Sequence, residues 1–498
     1  MKLLHLKLHH SLPLVFFLVA GAHAASLPPP VLKALRQAHI PLGSVGVVVR
    51  EVNARTPLIN VNGQQAMNPA STMKLLTTYA GLEMLGPAHT WKTEAWLDGK
   101  LEQGVLHGDL ILKGYGNPKL TLEQFWLWLR ELRGRGLREI RGNLVLDRSV
   151  FEIPPHDSAA FDNEPIRPYN VGPDALLLNF NAVRLRFIPD GEKINVISDP
   201  GLDSIKLDNR VTAALTGNCS KWDDDISAQL NGDTLLVQGS FPTRCGEREQ
   251  HVCLLPHPQY LYAVFRALWQ EMGGALDGEL REGAVPGSAT LFATQLSQPL
   301  AELIRDTNKF SNNVMARQIF LSLSNSAEES APASDSLTEC DHPACAPDIE
   351  LPQRSALPAA STARSEQAIR GWLAKKGLRF SELVLENGAG LSRRERISPN
   401  NLALLLQSAQ RSSLAAEFKA SLPIVGVDGT LKKRLNGSAA ASHAHLKTGS
   451  LEGVQAVAGY VQSRSGKQWV MVFFINHPNA SAGQQAQDAL IEWLQQKR

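Results

Sequence analysis

The chain has 498 residues, of which 43% are hydrophobic and 20% are charged. A chain of this length holds about three domains at the usual domain size, and its composition excludes wholesale disorder. Lys and Arg together number 50, and Asp and Glu number 48. This near-neutral balance argues against nucleic acid as a main partner, because nucleic acid binding usually demands a basic face.

The first 24 residues are typical of an export signal. Lys2 and Lys7 precede a short apolar run over residues 12–20, and the tripeptide at 22–24 is a small-x-small cleavage site. The run is shorter than the ~20 residues that span a bilayer, so a signal peptide cleaved after Ala24 is favoured over a membrane anchor. Without this segment the basic and acidic residues balance. We therefore predict a soluble, periplasmic protein with at most peripheral membrane contact.

The cysteines leave the disulfide pairing open. They are Cys219, Cys245, Cys253, Cys340 and Cys345, and export permits disulfides but an odd number leaves at least one thiol over. The sequence does not choose among the possible pairings. The last two could bridge locally or hold a metal, and a metal is disfavoured because no second ligand pair lies nearby. We expect no metal and no cofactor.

The N-terminal part predicts a hairpin and then a helix. Residues 44–61 contain two β-rich runs around a polar turn at 53–55. Asn68 and Pro69 then begin a helix that continues through apolar positions to Leu85, and Gly86 ends it.

The middle of the chain predicts an inserted region rich in strands. From about residue 90 to 285, short strand-like runs alternate with turns and two helices. We predict one or two β-rich subdomains over 91–288. The predicted strands lie at 109–113, 143–147, 182–187 and 234–237, and the helices at 121–134 and 257–272.

The C-terminal part returns to helices and then strands. Residues 299–321 and 366–377 are predicted helical, and the segment 324–365, rich in Ser, Ala, Pro and Glu, is predicted to be a surface insertion or flexible loop. Strands at 445–448, 454–461 and 468–475, a hairpin turn at 463–466 and an amphipathic helix at 481–497 follow. Strands at both ends of the chain predict one antiparallel sheet, built from a first part at 25–90 and a second part at 289–498.

Ser71 and Lys74 lie three residues apart near the start of a predicted helix, and therefore on one face of it. A serine hydroxyl is a weak nucleophile that needs a base, and a lysine with a lowered pKa can supply one. Alone the signal is weak, because Ser-x-x-Lys is expected about once or twice by chance in such a chain. The alternative is a solvent-facing pair, against which the apolar neighbours argue.

Two further elements carry polar groups that suit the same chemistry. Lys447-Thr448-Gly449 combines a cation, a hydroxyl and a residue without a side chain on a predicted strand, which suits a carboxylate beside a substrate backbone. Ser311 and Asn313 form a Ser-x-Asn element between helical segments. A second match at 398–400 is better explained as a helix start over 399–408, capped by its serine.

Ser-x-x-Lys, Ser-x-Asn and Lys-Thr-Gly, in this order, resemble the motifs of penicillin-recognising serine enzymes. The surrounding segments narrow the resemblance to the class C penicillin-binding proteins, which are D-alanyl-D-alanine carboxypeptidases and endopeptidases. It covers nearly the whole mature chain, including the long gap where this family carries inserted domains. Two departures are Ser450, where the family often has threonine, and Ala389, where serine is common. The segments are PASTMK (69–74), GNP (116–118), ENGAGLSR (386–393), VDGTL (427–431) and HLKTGSL (445–451).

The resemblance implies an α+β fold: a penicillin-binding/β-lactamase-like transpeptidase domain, with an antiparallel sheet and helices, that carries the β-rich insertion. It also implies the catalytic roles. Ser71 attacks the carbonyl of the penultimate D-alanine of a peptidoglycan stem peptide, and Lys74 takes its proton. Ser311, helped by Lys447, passes a proton to the leaving amine, and Asn313 orients Lys74 and the substrate.

Substrate and inhibitor binding follow from the same resemblance. Thr448, Gly449 and Ser450 would bind the substrate, with the oxyanion between the backbone N–H groups of Ser71 and Ser450. The partners implied are peptidoglycan stem peptides and cross-links, with β-lactams as covalent inhibitors on Ser71.

Three other hypotheses remain open. A β-lactamase shares the motifs but needs a fast deacylating base, and the sequence identifies no such carboxylate. A same-fold esterase typically places tyrosine at the position of Ser311. A non-catalytic cell-wall scaffold would keep the fold and lose the chemistry, and the intact motif residues argue against it.

Overall fold

The computed structural model describes residues 26–325 and 358–498. The predicted signal peptide, residues 326–357 of the predicted loop, and Cys340 and Cys345 lie outside the described residues. Within the described ranges, no helix is both long and apolar enough to cross a membrane.

The described residues form ten α-helices that flank three sheets. They are α1 (Pro29–Gln37), α2 (Lys74–Met84), α3 (Leu122–Gly134), α4 (His257–Glu271), α5 (Leu300–Lys309), α6 (Asn313–Ser322), α7 (Thr362–Lys375), α8 (Pro399–Gln410), α9 (Ala415–Ser421) and α10 (Gln484–Gln495).

The strands fall into two terminal groups and a long middle group. They are β1 (Val45–Glu51), β2 (Ile59–Val61), β3 (Lys92–Glu102), β4 (Val105–Gly114), β5 (Glu139–Ile140), β6 (Leu144–Asp147), β7 (Val183–Asp190), β8 (Lys193–Asp199), β9 (Lys206–Ala214), β10 (Ile226–Asn231), β11 (Thr234–Pro242), β12 (Arg248–Val252), β13 (Ala275–Leu276), β14 (Leu280–Glu282), β15 (Thr290–Leu296), β16 (Ala444–Leu451), β17 (Val454–Gln462) and β18 (Gln468–Asn476).

A five-stranded antiparallel sheet joins the two ends of the chain, as predicted. Its order is β16-β17-β18-β1-β2, and Val48 of β1 pairs with Val472 of β18. Both faces of this sheet are buried, so β17 and β18 are nearly continuous apolar runs. Alternate residues point to opposite sides. Val472 and its face pack in the cluster that includes α2 and α8, and Phe473 and its face pack in the cluster that includes α1 and α10.

Helix α2 lies inside the molecule. Every residue from Lys74 to Leu82 is buried, and the helix contacts α5, α6 and α8. A helix that is enclosed on all sides has no solvent face on which a lysine could extend its amine. The amine of Lys74 therefore has to find its partners inside the protein.

The middle of the chain forms two sheets that share one hydrophobic core. A six-stranded sheet has the order β10-β11-β9-β8-β7-β12, and a seven-stranded sheet has the path β13-β5-β4-β3-β15, with β6 joined to β4 and β14 to β6. Phe187 of the first sheet and Leu110 of the second belong to the same buried cluster, which α3 and α4 complete. The predicted domain boundaries stay predictions; β15, just beyond the predicted limit at 288, pairs with β3.

The structure settles part of the cysteine question. Cys219 and Cys245 form a disulfide, which closes the turn between β9 and β10 against the end of β11. Cys253 is buried and has no disulfide partner within residues 26–325 and 358–498, and burial raises its pKa to about 12.

Candidate active site

Ser71 lies in a 3₁₀ turn, Ala70–Met73, that leads directly into α2. The sequence predicted a continuous helix from Pro69, and the first turn is tighter than that. The predicted cap at Asn68 was wrong, because Pro69 is the residue before the turn and no side chain caps it; Asn68 Oδ1 instead accepts the backbone N–H of Ala70 at 2.9 Å. Ala70 has a φ of 45°, a conformation that non-glycine residues rarely adopt and that concentrates at functional sites. The Ser71 hydroxyl faces Lys74 one turn later.

Lys74 is the hub of a buried hydrogen-bond network. Its amine lies 3.0 Å from Ser71 Oγ and 2.7 Å from Asn313 Oδ1, and it also contacts the backbone carbonyl of Ala389. Burial holds the pKa of Lys74 well below its usual range, and the charges of nearby cations lower it further. The neutral amine, which can accept the Ser71 proton, is therefore easier to form than in an exposed lysine.

A second lysine faces Ser311. The amine of Lys447, on β16, donates to Ser311 Oγ at 2.8 Å and to the backbone carbonyl of Thr448 at 2.7 Å. Complete burial lowers the pKa of Lys447 to about 7. Ser311 lies between α5 and α6 with a φ of 56°, so its hydroxyl is presented from a strained break between two helices.

Asn313 links the network to the middle of the chain. It is the first residue of α6, which the side chain of Asn312 caps by accepting the N–H of Met315. The Oδ1 of Asn313 accepts from Lys74, and its Nδ2 donates to the backbone carbonyl of Tyr169 at 3.1 Å. A loop of the middle region thus fixes the side chain that contacts Lys74.

Strand β16 passes beside the Ser71 backbone. A Cβ atom added at Gly449 would lie 2.7 Å from the amide nitrogen of Ser71, so only glycine allows this approach. Thr448 Oγ1 lies 2.9 Å from Thr430 Oγ1, and Ser450 Oγ donates to Gln455 Oε1 at 2.9 Å. On the side away from β17, Ile424 bridges His445 at the start of β16, and no other described strand pairs with that side. An extended peptide could therefore pair only with the later part of the strand, which includes Thr448 to Ser450.

The structure brings all the predicted catalytic and substrate-binding residues together. Ser71, Lys74 and Asn313 form one hydrogen-bonded group and Ser311 and Lys447 another, and β16 runs alongside. The two groups also interact through their charges, because the positive charge on Lys447 lowers the pKa of Lys74.

Three buried residues near this network escaped the sequence prediction. Arg317, on α6, donates to the Val171 carbonyl at 2.6 Å, and its burial lowers its pKa to about 10. Glu395 is fully buried, although it stands in the basic run RRER, which is typical of a solvated surface. Lys309 forms an ion pair of 2.6 Å with Asp428. The sequence placed Asp428 in the VDGTL segment that resembles the family, but it did not indicate this pairing.

A cavity of about 570 Å³ lies between the loops 153–161 and 386–394, and none of the predicted catalytic residues lines it. The guanidinium of Arg393 stacks 4.8 Å from the ring centroid of Phe161 at its wall, and Arg317 and Leu391 also line it. The cavity combines apolar surface with charged groups of both signs, a lining suited to a peptide that carries both.

Comparison with known proteins identifies the family. The model of the D-Ala-D-Ala carboxypeptidase 3 (S13) family matches residues 30–339 and 351–497, which is most of the chain. The chain belongs to this family. It is therefore a hydrolase of the serine-type D-Ala-D-Ala carboxypeptidase class, which confirms the resemblance and the function inferred from the three motifs.

Relatives and solved structures agree with this assignment. The chain is 26% identical over 445 residues to D-alanyl-D-alanine carboxypeptidase DacB of Haemophilus influenzae, a match that covers 88% of this chain and 86% of the relative. It is 27% identical over 444 residues to D-alanyl-D-alanine carboxypeptidase of an Actinomadura species, covering 85% and 76%. The crystal structure of penicillin binding protein 4 (dacB) from H. influenzae superposes with a TM-score of 0.72 at 23% identity, covering 93% of this chain and 99% of that one. That structure confirms the predicted α+β, penicillin-binding fold.

Proposed function

We propose that the chain is an exported enzyme that cleaves D-alanyl bonds of peptidoglycan stem peptides and cross-links through an acyl-enzyme on Ser71. The observation that carries this proposal is a pair of buried lysines that each contact a serine hydroxyl. The Lys74 amine lies 3.0 Å from Ser71 Oγ, and the Lys447 amine lies 2.8 Å from Ser311 Oγ. A lysine with a lowered pKa next to a serine is an activated nucleophile pair.

The first half-reaction forms the acyl-enzyme. Neutral Lys74 takes the hydroxyl proton as Ser71 Oγ attacks the carbonyl carbon of the penultimate D-alanine. Asn313 holds the lysine amine during this transfer. The developing oxyanion lies between the N–H groups of Ser71 and Ser450, which the close approach of β16 to Ser71 supports. The tetrahedral intermediate then breaks its C–N bond and expels the amine, which receives a proton from Ser311 as Lys447 donates one to Ser311.

The second half-reaction returns the free enzyme. Water attacks the ester and its proton passes through Ser311 to the neutral Lys447, while the protonated Lys74 returns its proton to the Ser71 oxygen as the ester bond breaks. The terminal carboxylate of the substrate would be held by Thr448, Ser450 and the positive field of Lys447. The other stem-peptide residues would extend towards the cavity between the loops 153–161 and 386–394. β-Lactams acylate Ser71 in the same way, and their leaving amine stays tethered to the acyl group.

Labelling with benzylpenicillin tests the nucleophile. Mass spectrometry with a peptide map is expected to place one adduct on the peptide that contains Ser71, and Ser71→Ala is expected to abolish it. The matched control is Ser465→Ala in the exposed β17–β18 turn, which should label like the wild type. Labelling that persists in folded Ser71→Ala contradicts the proposal. Rapid drug consumption without an adduct would instead indicate a β-lactamase.

Activity on muropeptides tests the bond preference and the scaffold alternative. Release of D-alanine from a pentapeptide and cleavage of a cross-linked dimer should both occur and both stop in Ser71→Ala. A folded wild-type protein with neither activity would favour a scaffold. Cell fractionation tests the proposed periplasmic location.

A further inference from the structure

Glu395 places a buried carboxyl group at the base of the loop that contacts Lys74. Its Oε1 accepts three successive backbone N–H groups, from Glu386 at 3.1 Å, Asn387 at 2.9 Å and Gly388 at 2.9 Å. Consecutive amides that converge on one oxygen form a nest, which is a binding geometry for anions. The side chain is completely buried.

The loop that Glu395 holds touches both members of the Ser71–Lys74 pair. The carbonyl of Ala389 accepts from the Lys74 amine, and the carbonyl of Gly388 accepts from Thr77 Oγ1 of α2 at 2.6 Å. A Cβ atom added at Gly390 would overlap the carbonyl of Ala70, so the loop also packs on the turn that holds Ser71. A shift of this loop would therefore move the lysine amine relative to the serine hydroxyl.

We propose that Glu395 is a positioning residue for Lys74: its carboxylate fixes the 386–389 loop so that the Ala389 carbonyl meets the lysine amine, and its negative charge balances the buried cations around Ser71. The inference rests on the proposed function, in which Lys74 is the base for acylation. Glu395 itself is hydrogen bonded to neither Ser71 nor Lys74, so it acts through the loop and through its field.

The charge balance around Lys74 supports this role. Lys447 on β16 and Arg317 on α6 lower the pKa of Lys74, in addition to the effect of burial, and Glu395 is the acidic group that raises it. Burial raises the pKa of Glu395, against the three amides and Lys74, which stabilise its charged form. The second oxygen of the carboxyl, Oε2, has no hydrogen-bond partner in the described residues, so the amide nest on Oε1 is the contact that anchors the side chain.

Glu395→Gln removes the negative charge and keeps the size of the side chain. Glutamine keeps an oxygen for the amide nest and removes the negative charge, so the pKa of Lys74 falls further. Acylation requires the neutral amine, so the rate of benzylpenicillin acylation falls at low pH. This acidic limb of the pH profile should move to lower pH in Glu395→Gln, by roughly one unit for charges on neighbouring elements.

Glu395→Asp tests the positioning and does not depend on the glutamine variant folding. Aspartate keeps the charge and draws it back by one methylene, so the acidic limb should stay near the wild-type pH while the plateau rate falls roughly 10-fold or more. The matched control is Glu382→Gln. Its carboxylate accepts the Ser398 N–H at 2.9 Å and the Asn401 side chain, so it is also a partly buried anchor, but it is not one of the charges that shift the pKa of Lys74.

The outcomes separate this inference from the proposed function. A limb shift in Glu395→Gln, absent from Glu382→Gln, supports the inference. The inference is overturned if the acidic limb of the acylation rate does not move in Glu395→Gln, or if the plateau rate of Glu395→Asp equals that of the wild type. A loss of acylation rate of the same size at every pH in Glu395→Gln shows a merely structural role. If wild-type protein is not acylated at any pH, the proposed function fails first. Thermal melts of each variant establish that the folded protein is compared.

Discussion

Replacing Gly449 by alanine is the most direct test of the contact between β16 and the nucleophile turn. The new Cβ atom would lie 2.7 Å from Ser71 N, 2.9 Å from Pro69 O and 3.0 Å from Ala70 Cβ. The first two of these atoms belong to the backbone and cannot rotate away. The backbone at Gly449 is not in the left-handed region, so the whole effect of the substitution is steric.

The expected effect has a stability part and a rate part. Overpacking of a buried contact lowers the free energy of unfolding by about 1–3 kcal/mol. Relief of the overlap requires β16 and the Ser71 turn to separate by several tenths of an ångström, which displaces the hydroxyl from the Lys74 amine. A displacement on this scale is expected to lower the acylation rate by about 10-fold to 100-fold.

Stopped-flow acylation with a chromogenic β-lactam measures the rate, and urea unfolding measures the stability. The matched control is Gly43→Ala, because nothing lies within 4 Å of a Cβ atom there and its φ is unexceptional. It should acylate at the wild-type rate. If Gly449→Ala also acylates at that rate with unchanged stability, β16 does not hold the turn and the reasoning is wrong.

Two further predictions concern the buried polar network. The pKa of Lys447 is about 7 in the folded protein and near 10.5 in the unfolded chain. Between these two pH values the unfolded chain binds one more proton than the folded protein. The free energy of unfolding therefore rises with pH in this range, by up to about 1.4 kcal/mol per pH unit. Urea unfolding across this range should show a shallower slope in Lys447→Met; an equal slope would mean that Lys447 is charged in the folded state. Asn313→Ala removes the acceptor at 2.7 Å from the Lys74 amine, which becomes charged as it takes the Ser71 proton. Because a hydrogen bond to a charged group contributes about 1.5–3 kcal/mol, the benzylpenicillin acylation rate should fall by about 10-fold to 100-fold. Asn401→Ala on α8 is its control, and equal rates in the two variants would contradict the assigned contact.

The sequence predicted the site well where its chemistry is local or its motifs are distinctive. Ser71 and Lys74 lie on one short turn, so their spacing alone indicates contact. Ser311 and Lys447 lie 136 residues apart, and only the order of the three motifs joined them. The five-stranded sheet was also predictable, because its apolar runs at the two ends of the chain need partners.

Long-range burial was not predictable in the same way. Glu395 stands among three arginines, and nothing local indicates that a nest of amides from residues 386–388 encloses it. The tight first turn before α2 depends on the close approach of Gly449 and Gly390 from distant segments. The pairing of Cys219 with Cys245 likewise follows from how β9 and β11 meet, which spacing does not reveal.

The order of strands in the five-stranded sheet has a consequence for biosynthesis. Strand β1 lies between β2 and β18, and its main partner is synthesised more than four hundred residues later. The two middle sheets draw their strands from residues 92–296 alone, so they can form while the rest of the chain is still emerging. The nucleophile turn waits for β16 and β18, because Gly449 packs against it and Asn476 Oδ1 accepts the N–H of Asn68. The contacts that hold the Ser71 turn are therefore complete only after residue 476 has been synthesised.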